Sequence, residues 1–332
     1  MVETADNFFS QSFKHLTFNP LVKFNRAETS NSNENDGVAS NGKMIAVNWN
    51  TTSAVAVFDA TQPRSFDANV PLLKGHSGMI YDVQWSPFED RLLATCADDG
   101  KAKFWCFDDY AGLTGHGTRT ECDLELDAHA RKCLSVQWHE AAENLIATHS
   151  IDKTIKVWDL DEARCDEALI TFTDMPDYAT SIKWSPDGSK LCGMLKNKSM
   201  VIFDPRQEAS VVKAAAHPGP RLQRVQWADD TTLLTSGFDR EAKRQWGCWD
   251  LRNLEQPLAL GPLTEGSGVP YIYYDNSYGI MILAGRGDNT IGIYSFDKSS
   301  PTFLNICQTY NFMQTTSKAF CLMPKHCVDV SV

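Results

Sequence analysis

Several things are missing from this chain, and each absence removes a class of function. No apolar run reaches the roughly 18 residues that a membrane-crossing helix requires, so insertion into a bilayer is not expected. The first ten residues, Met1 to Ser10, hold neither a basic stretch nor an apolar one, so no secretory signal is expected there. Cysteine occurs ten times, but never in CxxC spacing. Without an export signal, scattered cysteines read as reduced thiols in a cytoplasmic protein. The eight histidines show neither HExxH nor any other paired ligand spacing, so no metal centre is expected. A P-loop and a dinucleotide fingerprint are both lacking, which leaves no cofactor to expect. Basic charge is scarce as well. Lys and Arg number 31 against 42 Asp and Glu, a net charge of −11. That balance disfavours unspecific binding to nucleic acid or to anionic membranes, both of which need a basic field.

What the chain does have is periodicity. Gly75-His76 opens a segment that passes Trp85-Ser86-Pro87 and closes on Trp105. Ala128-His129 opens another that passes Trp138 and closes on Trp158-Asp159. His76 and His129 each stand 29 residues before the closing Trp, and Trp85 and Trp138 each stand 20 before it. Weaker copies keep phase: Trp184-Ser185-Pro186-Asp187-Gly188 leads to Phe203-Asp204, His217 leads through Trp227 to Trp249-Asp250, and Tyr274 leads to Tyr294. The inner aromatics recur every 43 to 53 residues. Short β-rich runs fill the spaces, such as Met79 to Trp85, Leu92 to Cys96 and the alternating Ile155-Lys156-Val157-Trp158. Repeats of this length with GH and WD punctuation are blades of a WD-repeat propeller.

The expected fold is therefore all-β: one seven-bladed WD-repeat β-propeller over residues 1–332. Its repeats fall at approximately 40–70, 71–125, 126–172, 173–212, 213–262 and 263–300. Residues 1–20 and 301–332 contribute to the closing blade. Trp85, Trp138, Trp184 and Trp227 are expected to be buried. Punctuation of this kind also explains residues that resemble a catalytic set. His129, Ser150, Asp152 and Trp158 match the buried His–hydroxyl–Asp–Trp network that ties turn to strand in such blades. His76, Asp99 and Trp105 match without the hydroxyl, because position 97 is Ala, and Asp288 precedes Tyr294 as Asp152 precedes Trp158. Because these residues recur as punctuation, no enzyme is expected. The RGD at Arg286-Gly287-Asp288 uses the same blade aspartate.

A propeller alone does not fix a function; the second half of the chain is more specific. Asp204-Pro205-Arg206 closes the fourth repeat, and Thr235-Ser236-Gly237-Phe238-Asp239-Arg240-Glu241-Ala242-Lys243-Arg244-Gln245 runs to Trp249-Asp250. Asn253-Leu254-Glu255-Gln256-Pro257-Leu258 and Gly285-Arg286-Gly287-Asp288 follow. Ser12-Phe13-Lys14-His15 stands near the start and Met323-Pro324-Lys325 near the end. This order resembles the coronins, over nearly the whole chain. The stretch from Thr29 to Asn41, rich in Ser, Asn and acid, departs from the family's first repeat and reads as a loose loop. The family's extension, linker and coiled coil have no counterpart here.

The resemblance implies binding to filamentous actin through the propeller, at the cytoplasmic actin cytoskeleton. It assigns influence on the branched-filament nucleating complex to C-terminal parts absent from this sequence. It also points to an arginine in the first repeat, by nearest alignment Arg26, with Lys23 beside it. The repeat geometry adds a second set of candidates, since turns around the blade aspartate project from one rim. There stand Lys101, Lys153, Lys198, Arg240, Lys243, Arg244 and Arg286, a ring of cations suited to an acidic partner. A generic scaffold that seats a peptide in the central opening is the alternative. At the end of the chain three strands are expected. Phe303 to Thr309 would finish blade six, and Lys318 to Met323 and Cys327 to Val332 would enter the closing blade beside the N-terminal strand Ser12 to Phe18. One strand is then lacking, so an incomplete seventh blade is expected.

Overall fold

Each repeat folds into its own antiparallel sheet, and the sheets follow one another in chain order. The computed structural model describes residues 37–49, 53–60, 70–107, 117–161, 165–173, 175–207, 212–266, 268–311, 317 and 319–324. Blade one holds β1 (Val38–Ser40), β2 (Met44–Asn48), β3 (Val55–Asp59) and β4 (Leu72–Leu73). Blade two holds β5 (Ile80–Trp85), β6 (Leu92–Ala97), β7 (Ala102–Cys106) and β9 (Leu124–Leu126), while β8 (Thr118–Arg119) leaves it to pair in parallel with β4. Blade three holds β10 (Cys133–Trp138), β11 (Leu145–Ser150), β12 (Ile155–Asp159) and β13 (Ile170–Phe172). Blade four holds β14 (Ala179–Trp184), β15 (Leu191–Leu195), β16 (Ser199–Phe203) and β17 (Val212–Ala215). Blade five holds β18 (Arg224–Asp229), β19 (Thr232–Phe238), β20 (Arg244–Asp250) and β21 (Ala259–Pro262). Blade six holds β22 (Pro270–Asp275), β23 (Ile280–Gly285), β24 (Thr290–Phe296) and β25 (Leu304–Asn311). No helix occurs among the described residues.

The core lies between blades. Met44, Val55 and Val57 of blade one pack against Val83, Trp85, Leu93 and Trp105 of blade two. The same face-to-face contact recurs between blades two and three, three and four, four and five, and five and six. Trp85, Trp138, Trp184 and Trp227 are all buried, as expected. A β-bulge stands near the start of three inner strands, between Ile80 and Asp82, Cys133 and Ser135, and Ala179 and Ser181. An extra residue there breaks the strict alternation. It lets Ile80, Val83 and Trp85 all face the blade contact while Gln84 turns toward the axis.

The end of the chain corrects two expectations. β25 completes blade six, in line with the reading of Phe303 to Thr309, and carries that blade to Asn311, beyond the boundary at 300. The expected strand from Lys318 to Met323 is not formed, because 319–324 join no ladder among the described residues. They nevertheless stand beside the inner strand of blade six. The Tyr273 hydroxyl donates to the Phe320 carbonyl at 2.8 Å. Ser317 and the Gly287–Asp288 turn exchange two backbone hydrogen bonds of 2.9 Å. Ser12 to Phe18 and Cys327 to Val332 lie outside the described residues.

The blade network is also corrected. Its hydroxyl belongs to a threonine two residues earlier than expected. Thr148 Oγ1 meets His129 Nε2 at 2.9 Å and accepts from Trp158 Nε1 at 2.9 Å. Thr95 holds His76 and Trp105 in the same way, at 2.8 and 3.0 Å, so blade two lacks nothing. Thr235 repeats it with His217 and Trp249, although Gln245 replaces the aspartate there. Ser150 instead accepts from the Asp152 amide at 3.0 Å and only shapes the turn. On the other ring nitrogen, His76 meets Asp99 at 3.0 Å and His129 meets Asp152 at 3.2 Å. Burial works to raise both carboxyls, but the histidine bonds and backbone donors outweigh it. Asp99 is held at about 2, and Asp152 well below the usual carboxylate range.

Thr148→Val leaves His129 Nε2 and Trp158 Nε1 buried and unpaired, at about 1–3 kcal/mol for an unsatisfied group. Ser150→Ala should cost roughly 1 kcal/mol, for one part-buried turn bond. Urea midpoints of the two variants give the order. A larger loss in Ser150→Ala would return the network hydroxyl to Ser150.

Candidate functional site

Antiparallel strands give the ring two rims. The upper rim carries the turns between second and third strands together with the links that enter the next inner strand. In these turns the chain takes the left-handed conformation at one position, φ +78° at Gly100, +67° at Lys153 and +74° at Lys198. Lys153 and Lys198 therefore hold a place where glycine is the easy residue. Their ammonium groups donate to the carbonyls of Pro176 and Pro218, at 3.0 and 3.3 Å, across the blade junction. Lys101 is engaged too. Its hydrogen bonds to Glu125 and Asp127 push its pKa up, and its charge is offset locally.

The hairpin of blade five, between β19 and β20, belongs to the same rim. Arg240 is exposed at its tip, and Lys243 is exposed beside Glu241, 2.7 Å away. Arg286 is half-buried on the same rim. Arg244 is not a surface group. Its side chain is buried and spans the junction of blades five and six, donating to Asp288 and to the Gly268 carbonyl. Asp288 thus serves the neighbouring blade's arginine and no histidine of its own blade. Lys23 and Arg26 lie outside the described residues.

Four further cations stand on this rim that the repeat reading did not single out. Arg131 is exposed in the link to blade three. Beside it Lys132 pairs with Asp98 at 2.6 Å and lies 5.7 Å above the Tyr81 ring. Lys196 lies 5.0 Å above Tyr178, and Arg221 lies 5.2 Å above Phe238. No fixed spacing announces the last three, since each depends on an aromatic brought near by the fold.

The lower rim has the opposite character. Asp159, Asp204, Asp250 and Asp297 end the third strands, where each accepts from the amide two residues on, at 2.8 to 3.0 Å. That Asx turn is the physical reason for the D in the repeat. Glu140, Asp187, Asp230 and Asp275 add charge in the turns between first and second strands. The acidic excess of the chain is thus concentrated away from the upper rim.

Comparisons with known proteins meet this geometry at several points. A family model described as "WD domain, G-beta repeat" matches residues 69–106 and 120–159. A coronin-like protein of Saccharomyces cerevisiae is 32% identical over 329 residues, covering 96% of this chain and 48% of that protein. Coronin-2A of Homo sapiens is 30% identical over 333 residues, covering 97% of this chain and 62% of that protein. The WD40 domain of Toxoplasma gondii coronin superposes with a TM-score of 0.84 at 25% identity, covering 92% of this chain and 78% of that one. The chain belongs to the coronin family. It is a coronin WD-repeat β-propeller, and it spans about half to two-thirds of the length of the coronins it matches, 48% in yeast and 62% in human. Within this coronin, the Arg244–Asp288 bridge joins two segments of the fifth-to-sixth-blade run on which the resemblance rests, which gives that run a structural reason.

Proposed function

We propose that this coronin propeller binds filamentous actin through its upper rim, as a non-enzymatic adaptor of the cytoplasmic actin cytoskeleton. The observation that carries the reading is the separation of charge. A chain of net charge −11 keeps Arg131, Lys196, Arg221 and Arg240 exposed on one rim, where Asp98, Asp127 and Glu241 are paired with lysines, and gathers most of its turn aspartates on the other. Such a field orients an acidic filament toward the upper rim and speeds encounter more than it supplies affinity. The arginine implied by the family, Arg26, is a candidate anchor for the same contact. Influence on the branched-filament nucleating complex belongs to the part of a coronin that this chain does not span.

Arg244 has no place in the test, because it is buried in the junction of blades five and six. Charge reversal of Lys196, Arg221, Arg240 and Lys243 together is expected to weaken co-sedimentation with filaments roughly 10- to 30-fold. This takes about 0.35–0.5 kcal/mol for each of the four charges, inside the roughly 0.2–1 kcal/mol range of exposed pairs. The melting temperature should stay unchanged. Arg26→Asp should cost about 2 kcal/mol if it is a hot spot. Rising salt should weaken the wild type, since exposed charges are screened over about 8 Å at physiological strength. A fourfold-reversed protein that pellets as the wild type does would remove the rim from the interface. A wild type that fails to pellet would favour a scaffold unrelated to actin.

A further inference from the structure

The inner strands line a central channel, and its wall holds a pocket of about 30 Å³ beside β10, β14 and β18. Asp82, Gln137, His149, Ser181, Lys183 and Arg224 are among the residues around it. The pocket exceeds the roughly 10–15 Å³ that one water needs, so it admits an occupant of that scale or slightly larger.

The lining is built to donate. Asp82 is its one carboxylate, and that charge is already met. Oδ1 accepts from the Val83 amide at 2.9 Å and from Gln84 at 3.2 Å. Oδ2 accepts from Ser135 at 2.6 Å, the Val136 amide at 3.3 Å and Gln137 at 3.5 Å. Lys183 gives one of its three N–H groups to Gln137 Oε1, at 2.9 Å. Arg224 brings a second cation, stacked 3.9 Å above the Tyr271 ring. His149 is 1% exposed, and neither of its ring nitrogens makes a well-formed hydrogen bond, the Ala179 backbone acting on the ring only weakly. A buried polar atom left so costs about 1–3 kcal/mol, and a histidine of this kind calls for a partner within its own pocket.

We infer that this pocket is a binding site for a small monovalent anion of the size of chloride. Two cations, a neutral imidazole with one N–H to give and the Ser181 hydroxyl line it, and the only acid in the lining is saturated. An anion accepts from all of these groups at once. Water can accept from only two of them and must direct its own hydrogens toward donors. The site is separate from the upper rim, and the actin reading does not enter it.

The test uses the chain in sodium bromide. Crystals grown in bromide should show an anomalous peak in the pocket, within contact distance of Lys183 and His149. In solution, chloride should raise the melting temperature by about 3 °C or more over gluconate at equal ionic strength, because gluconate is too large to enter. Lys183→Gln should abolish that difference. Ser181→Val, which narrows the pocket and keeps Lys183, should do the same if Lys183→Gln fails to fold. A bromide peak without chloride-specific stabilisation would mean an adventitious ion only and would overturn the inference. So would the absence of a peak, or an anion effect that survives both substitutions.

Discussion

Arg244→Ala is expected to lower the unfolding free energy by about 3–5 kcal/mol, the cost of leaving a buried charge without its partner. The side chains of Arg244 and Asp288 are only 2% and 14% exposed. The guanidinium bridges two blades with Nη1 to Asp288 Oδ2 at 2.5 Å, Nη2 to Oδ1 at 3.0 Å and Nε to the Gly268 carbonyl at 2.8 Å. Two glycines clear the space: a Cβ on Gly266 would stand 2.1 Å from Nη1, and one on Gly285 would stand 2.5 Å from Nη2. Arg244→Lys should recover little, because an ammonium cannot make the paired bonds of the planar fork. The double variant Arg244→Met with Asp288→Leu should recover most of the loss, since a buried ion pair replaced whole by apolar groups is often near neutral. Denaturant midpoints of the three proteins check this. A single-alanine loss below about 1 kcal/mol would place the pair with exposed ion pairs.

That bridge also shows where sequence reasoning reaches its limit. The blades were legible because each must bury an inner Trp and close on an aromatic at a fixed distance, and the chain repeats those demands. The network histidines and aspartates were legible for the same reason. Its hydroxyl was misplaced because Ser150 sits nearer in sequence to Asp152, whereas the strand register puts Thr148 opposite the His129 ring. Thr95 and Thr148 each precede the closing Trp by ten residues, a spacing that could have revealed them. Arg244 was read as a rim cation because it follows Arg240 and Lys243 in one hairpin. β20 begins at Arg244, however, and turns it into the junction with the next blade, which no local pattern encodes. Lys196 and Arg221 were missed because each meets its aromatic, Tyr178 or Phe238, only once the first two strands of its own blade pair, and His149 because part of its surroundings comes from blade four.

Acid should unfold this protein in two stages, and the first should depend on His149. Burial, and next the charge of neighbouring His129, push its pKa down from 6.5 to about 3. The Ala179 backbone and Asp152 oppose this only weakly. A folded-state value below the unfolded one means that the unfolded chain binds the proton more readily. The neutral His149 therefore costs nothing above pH 6.5, and stability falls as pH drops from there toward 3. A shift of this size corresponds to a loss on the order of 5 kcal/mol over the whole range, at about 1.4 kcal/mol per unit. His217 is also held down by burial and adds to the same stage. The second stage begins near pH 4, where the stabilisation from Asp99, held at about 2, and from Asp152 is progressively lost as their carboxyls protonate. His149→Gln cannot take up a proton at this position. Urea unfolding measured at steps from pH 7 to 4.5, at constant chloride, should show a clearly shallower slope in this variant than in the wild type. Below about pH 3, where folded and unfolded chains both hold the His149 proton, the two curves should run parallel. Identical slopes between pH 6.5 and 4.5 would mean that His149 reaches solvent in the folded chain and that the channel wall around it is open.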